Sequence, residues 1–168
     1  MKSTRRLVFM ALLAAMALAI YAAEAQIPAP LPVPGVKLGL ANVVTLVAMS
    51  VMGRREAGAV LAVRLVLGSM FSGGLSALIF SAAGGLAAWG VMCALIGVFP
   101  GKRLWVVSVL AAIAHNFGQL MAAWAVTGTA GILYYGFALL ASAIITGAFT
   151  GIAAMYLSRA AEKLINKK

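Results

Sequence analysis

The sequence of 168 residues contains no aspartate and only three glutamates, Glu24, Glu56 and Glu162. Sites that bind magnesium and diphosphate use carboxylates, and so do many proton- or sodium-coupled membrane proteins. The scarcity of carboxylates argues against both kinds of chemistry, and we predict neither a metal site nor a cofactor. A glycine-rich phosphate loop ending in Lys-Ser or Lys-Thr is also missing. We therefore do not expect this chain to be an enzyme or to hydrolyse ATP by itself.

Charged residues are rare as well: they make up 10% of the sequence, whereas 64% is hydrophobic and the mean hydropathy is +1.08. A soluble domain has about 25% charged residues. This composition predicts an all-α integral membrane protein, because a lipid-facing surface must be apolar and every backbone amide must bond internally. A single cysteine, Cys93, excludes a disulfide framework.

The net charge of +10 would suggest nucleic-acid binding in a soluble protein. Here the basic residues form short clusters between apolar runs, as topogenic signals do, and we expect membrane lipid rather than nucleic acid around the chain. With the amino terminus in the cytoplasm, eleven of the thirteen Lys and Arg residues lie at cytoplasmic ends of spans. The apolar runs predict one domain, residues 1–168, with both termini cytoplasmic and six transmembrane helices at about 6–24, 38–53, 56–72, 75–99, 104–126 and 132–158.

Residues 25–37 contain four prolines at alternate positions, which favours an extended, semi-rigid loop. In the predicted topology this loop is external and lies over the bundle as a lid. Residues 1–25 also resemble a signal peptide that would be cleaved after Ala25. Both interpretations of the amino terminus satisfy the charge pattern, but the apolar run 7–23 is longer than the usual apolar region of a signal peptide, about 7–15 residues, which favours a retained transmembrane helix.

Arg64 is the most informative single residue, because it falls near the middle of a predicted span. A cation there costs on the order of 3 kcal/mol on insertion scales, so it must face protein or water. One interpretation is contact with an anionic ligand, and the other is hydrogen bonding to backbone carbonyls of a neighbouring helix. The glutamates all lie outside the middle of the spans, which favours the ligand.

The fifth run carries His115, Asn116 and Gln119, and the spacing of four places His115 and Gln119 on one helical face. Polar side chains in hydrocarbon are costly unless satisfied, either as interhelical hydrogen bonds or in a binding site. Asn42 lies near the outer end of the second run, and Lys37 stands just outside it. We predict that these five residues and Arg64 line an outward-facing substrate site.

Ala11, Ala15 and Ala19 recur at intervals of four in the first run. Such a smooth stripe allows another helix to approach closely, which predicts a face for a partner helix. Because alanine is abundant in this sequence, chance is the competing explanation.

Three segments carry a family resemblance: LPVPGVKLGLAN at 31–42, FSAAGG at 80–85 and HNFGQ at 115–119. In this order they resemble a small bacterial membrane family labelled heptaprenyl diphosphate synthase component I or Gx transporter, over roughly residues 5–158. In size and layout the family is similar to the substrate-binding S components of energy-coupling-factor (ECF) importers. That resemblance implies a six-helix bundle in the bacterial cytoplasmic membrane. It also implies a lid loop, and alanines of helix 1 that face a transmembrane coupling protein.

We therefore expect the substrate-binding subunit of a small-solute importer, with ATPase subunits supplied by partners. Arg64 and Lys37 favour an anionic small molecule as substrate. The family label implies the alternative, a membrane enzyme or accessory subunit in isoprenoid diphosphate synthesis. The label disagrees with the missing aspartates. A second alternative is a structural scaffold of a membrane complex.

Overall fold

The computed structural model describes residues 3–27, 37–72 and 74–166, and in these residues it is all-helical without β-strands. The proline-rich part of the predicted lid, residues 28–36, lies outside the described residues. Two short 3-10 helices, Gly101–Arg103 and Ala130–Tyr135, precede the last two α-helices. The α-helices within the described ranges are α1 Ser3–Glu24, α2 Asn42–Val51, α3 Arg54–Ser72, α4 Gly74–Leu95, α5 Leu104–Thr127 and α6 Gly136–Asn166.

Four of these helical segments are long and apolar enough to cross a membrane: Thr4–Glu24, Gly74–Leu95, Gly101–Thr127 and Ala130–Lys163. The chain is therefore a helical membrane protein, as its composition predicts. α2 is apolar but has only ten residues, about 15 Å at 1.5 Å per residue and half the thickness of the hydrocarbon core. α3 is long enough but includes Arg54, Arg55, Glu56 and Arg64. Six complete spans thus remain a prediction.

The short helix α2 lies at the centre of the bundle. It contacts each of the other five α-helices, and its residues from Asn42 to Met49 are all buried. Its apolar sequence is therefore explained by protein neighbours rather than by lipid. α2 begins at Asn42, four residues after the start of the apolar run, because Leu38–Ala41 forms an irregular segment in which Gly39 has a φ of 75°.

The pair α5 and α6 packs at very short range because glycines of α6 face α5. A Cβ added at Gly151 would lie 2.5 Å from the Cα of Trp105, and one at Gly147 would lie 2.7 Å from the Cα of Val109. The hydroxyl groups of Ser108 and Thr150 are 3.0 Å apart in the same interface. Small side chains here serve close helix packing.

α1 packs against α3 and α2 and presents two different faces. Leu13, Ala17 and Tyr21 point into the protein and are buried, whereas Ala11, Ala15 and Ala19 are exposed. At the start of both helices, the guanidinium of Arg6 in α1 forms an ion pair with the carboxylate of Glu56 in α3. The predicted alanine stripe is therefore on the outside of the bundle.

Candidate functional site

The bundle contains a small cavity of about 10 Å³, which we call the polar cavity. A single water molecule needs roughly 10–15 Å³, so in this conformation there is space for about one water. Side chains or backbone from α1, α3, α4, α5 and the segment before α2 surround it. The lining residues are Tyr21, Glu24, Lys37, Gly39, Arg64, Ser81, His115 and Gln119.

Arg64 reaches the polar cavity from α3 and is only 3% exposed. Its guanidinium lies against Gly85 of α4: a Cβ at Gly85 would be 3.1 Å from Nη2. Within the described part of the chain, Nε of Arg64 is buried without a hydrogen-bond partner. The structure thus places Arg64 against protein, as predicted, with at least its Nε left without an acceptor among the described residues.

Glu24, at the end of α1, lines the polar cavity although it is not among the predicted site residues. Its carboxylate is 5% exposed, and its two oxygens accept hydrogen bonds from the backbone N–H groups of Gly39 at 2.6 Å and Leu40 at 3.1 Å. Lys37 and Arg64 both lie within range of a charge–charge attraction to this carboxylate. Among the described residues Glu24 forms no ion pair with Arg64, but it brings an acidic group to the same cavity. A lone glutamate at the end of an apolar run was the available signal.

Lys37 connects the segment before α2 to both α1 and α5. Its ammonium nitrogen lies 3.7 Å from the centroid of the Tyr21 ring, a cation–π contact. Its backbone N–H donates to Oε1 of Gln119 at 3.0 Å. The ammonium nitrogen is buried. Like Nε of Arg64, it has no hydrogen-bond partner among the described residues. Lys37 thus lines the polar cavity together with Arg64.

The His115 ring of α5 is held between two glycines. A Cβ at Gly39 would lie 2.7 Å from Cδ2 of the ring, and a Cβ at Gly84 would lie 2.7 Å from Cε1 and Nδ1. Neither ring nitrogen has a hydrogen-bond partner among the described residues, although the Gly84 carbonyl faces the ring outside hydrogen-bonding geometry. Glycine is required at both positions because any side chain would occupy the space of the imidazole.

The structure divides the remaining predicted residues between the site and the packing. Gln119 lines the polar cavity. Asn116 instead donates through Nδ2 to the carbonyl of Leu139 at 2.9 Å and joins α5 to the start of α6. Asn42 is buried beside Gly39, but it is not among the residues that line the cavity. The angle of about 100° between adjacent helical residues explains why His115 and Asn116 face different neighbours.

Two further residues line the site without having been predicted. The hydroxyl groups of Tyr21 in α1 and Ser81 in α4 are 3.1 Å apart and close one side of the cavity. Tyr21 also packs against Gly68 of α3, where an added Cβ would lie 2.9 Å from its Cε1. In the described ranges there is no group of three or more His, Cys, Asp and Glu residues that would hold a metal ion. The site is suited to binding through hydrogen bonds and charge.

Gly39, Gly84 and His115, one residue from each of the three segments that carry the family resemblance, meet at this site. Comparison with curated proteins and with solved structures gives no match. A family model described as heptaprenyl diphosphate synthase component I matches residues 13–157. The chain therefore belongs to the heptaprenyl diphosphate synthase component I family.

Proposed function

We propose that this protein is the membrane-embedded substrate-binding subunit of a small-solute importer of the energy-coupling-factor type. In this role it binds an anionic small molecule from outside the cell and has no catalytic activity of its own. One observation carries the proposal: in the described residues, the polar cavity is lined by several buried nitrogen atoms that have no hydrogen-bond partner in the protein. These are Nε of Arg64, Nζ of Lys37 and the ring nitrogens of His115.

The energetics of these nitrogen atoms support a ligand. A buried donor left without an acceptor costs about 1–3 kcal/mol, and a charged one costs more. More than nine-tenths of buried polar groups in proteins are paired. Arg64 and Lys37 converge on one cavity from different elements, so a single anionic group could satisfy both. A purely structural role for Arg64 would instead require carbonyl acceptors, and its Nε has none among the described residues.

The size of the cavity indicates a closed state of the site. A ligand larger than one water molecule must displace the segment from Lys37 to Leu40. That segment is held by the hydrogen bonds of Gly39 and Leu40 to Glu24 and of Lys37 to Gln119. These bonds join the irregular segment before α2 to Glu24 at the end of α1 and to Gln119 within α5. We infer that substrate enters and leaves by movement of this stretch.

The outward alanine stripe supports association with a transmembrane coupling protein. Ala15 and Ala19 line an open groove of about 410 Å³ that ends at Phe71 of α3. Small residues allow the backbone of a second helix to come close, which is the main source of helix association in membranes. In the proposed importer, ATPase subunits act through that coupling protein.

The partner face is tested by Ala15→Trp, with Met16→Trp as the matched control, because Met16 is also exposed on α1 but outside the stripe. The expected result is that Ala15→Trp abolishes co-purification of the coupling protein and its ATPases, whereas Met16→Trp retains both. Equal retention by the two variants would contradict the partner face.

The binding site is tested by Arg64→Gln, assayed by retention of small anionic metabolites on the purified full-length protein. Removing one partner of a buried charged pair costs about 2–5 kcal/mol, so retention should be lost. Arg64→Lys should also bind weakly, because an ammonium cannot reproduce a bidentate guanidinium contact. Without ligand, Arg64→Gln should melt at the same or a higher temperature, since a costly buried cation is gone.

The matched control is Arg159→Gln, which removes one positive charge from an exposed position at the other end of the bundle. It should leave metabolite retention unchanged. A loss of apo stability in Arg64→Gln with retention intact would assign Arg64 a structural role and would remove the main reason for an anionic substrate.

A second candidate function is an accessory role in isoprenoid diphosphate synthesis, which the family name favours. One observation supports it: an open cavity of about 390 Å³ beside the Gly101–Arg103 turn. Its lining combines the basic residues Lys102 and Arg159 and the acidic Glu162 with apolar side chains such as Ile96 and Met155. Two cations beside an apolar surface suit an amphiphile with a phosphate head group.

The two candidates predict opposite results for the same pair of variants. If the chain binds an isoprenyl diphosphate in this second cavity, Arg159→Gln should reduce retention of farnesyl diphosphate, and Arg64→Gln should not. If wild type and Arg159→Gln retain farnesyl diphosphate equally, the accessory role is contradicted.

A further inference from the structure

One acidic and two basic side chains line the polar cavity: Glu24, Lys37 and Arg64. In their formal charge states, with His115 neutral, the lining carries a net charge of +1. Because Glu24, Arg64 and the ammonium nitrogen of Lys37 are buried, water and salt screen this charge less than they would at a surface.

Glu24 is fixed in place as a permanent part of the site. Both of its oxygens already accept backbone hydrogen bonds, from Gly39 and from Leu40. Burial disfavours the charge on this carboxylate, whereas the two hydrogen bonds and the nearby Lys37 and Arg64 favour it. In its ionised form the carboxylate contributes its field to the cavity.

The two cations have no direct counter-ion. Across the described ranges, neither Lys37 nor Arg64 makes an ion-pair contact with Glu24; the ion pair found there joins Arg6 to Glu56. Glu24 attracts both cations from a distance and offsets one of the two positive charges. One positive charge in the lining of the polar cavity is thus left without a compensating negative charge.

We infer that the site is built for a ligand group with a single negative charge, such as a carboxylate, and that Glu24 is the residue that discriminates against dianions. This inference rests on the proposed function. A monoanion makes the site neutral. A phosphate monoester or sulfate would leave a surplus negative charge next to Glu24, and like charges placed together in a buried site cost several kcal/mol.

The charge argument also gives the direction in which variants change selectivity. Interaction energy scales with the product of the charges, so any change in the charge of the lining affects a dianion twice as strongly as a monoanion. Glu24→Gln makes the lining more positive, so the ratio of monoanion affinity to dianion affinity should fall. Lys37→Gln makes the lining less positive, so the same ratio should rise.

The experiment compares formate and sulfate, added at equal ionic strength to the full-length protein in detergent micelles, with Kd taken from melting-temperature titrations. In wild type we expect formate to bind at least about tenfold more tightly than sulfate, as a difference of 1.4 kcal/mol would give. Glu24→Gln should reduce this ratio by about tenfold or more. Glu56→Gln makes the same charge change at the Arg6 ion pair, outside the cavity, and should leave the ratio unchanged.

Each outcome bears on one of the two claims. If wild type binds neither anion, the anion site of the proposed function is wrong. If wild type binds sulfate as tightly as formate, the site still binds anions but the preference for a single charge is wrong. If Glu24→Gln does not fold, Lys37→Gln decides: a wider formate preference supports the inference, and an unchanged or narrower one overturns it.

Discussion

Gly84→Ala is the most direct perturbation of the polar cavity, because it adds one methyl group where the structure has no space for it. The new Cβ would lie 2.7 Å from two atoms of the His115 ring and 2.8 Å from Cγ of Gln119. The ring cannot simply move away, since Gly39 contacts its opposite side. Inserting a methyl group into such a packed site costs about 1–3 kcal/mol. We expect a loss of stability in this range.

The matched control is Gly90→Ala, six residues further along the same helix. A Cβ at Gly90 would meet no atom within 4 Å. There the change from glycine to alanine should be neutral or stabilise the helix by up to about 1 kcal/mol. The assay is the free energy of unfolding of each purified variant, measured by far-UV circular dichroism in mixed micelles with increasing dodecyl sulfate. Gly84→Ala should fall below both wild type and Gly90→Ala.

A double-mutant cycle assigns the cost to the histidine. His115→Ala removes the ring, so Gly84→Ala should cost much less in that background, with a coupling energy of about 0.5–3 kcal/mol. Two results would refute the reasoning: a Gly84→Ala protein as stable as Gly90→Ala, or a cost of Gly84→Ala that is the same with and without the imidazole.

Two other predictions test the packing and the orientation of the chain. Asn116→Ala should lose about 0.6–1.7 kcal/mol of stability, the range of interhelical hydrogen bonds in membranes, because the Leu139 carbonyl loses its donor. The affinity for formate should not change. A large loss of formate affinity would show that Asn116 belongs to the binding site. In a protein without its native cysteine, Thr129→Cys should react with an impermeant reagent added outside cells and Gly101→Cys should not. The reverse labelling would overturn the predicted topology.

The helices were largely predictable because apolar runs and basic clusters alternate along the sequence. The exception is α2, for which an apolar run of 38–53 predicts a span. In the structure, Gly39 has a left-handed backbone conformation in the segment before α2, and the helix is only ten residues long. A short apolar stretch has the same composition whether lipid or protein surrounds it. Its central position therefore depends on long-range packing, which local pattern does not encode.

The candidate site was predictable in its chemistry but not in its geometry. The cost of burying polar groups was enough to single out Arg64, His115 and Gln119, and all three line the cavity. Glu24 was missed because its contacts to Gly39 and Leu40 depend on how the chain returns to the bundle after α1. Whether Asn116 faced the cavity or α6 depended on the rotation of α5, which spacing alone does not fix.

The chemistry of the polar cavity and the name of the family point to different ends of the molecule. Binding of magnesium and diphosphate uses several carboxylates, but the polar cavity is lined by one, Glu24, and both of its oxygens are already bonded to backbone. The cavity that combines Lys102 and Arg159 with apolar side chains lies beside the Gly101–Arg103 turn, away from Arg64. If members of this family act on isoprenoid diphosphates, we expect the contact at that second cavity. The polar cavity then remains available for a smaller ligand with a single charge.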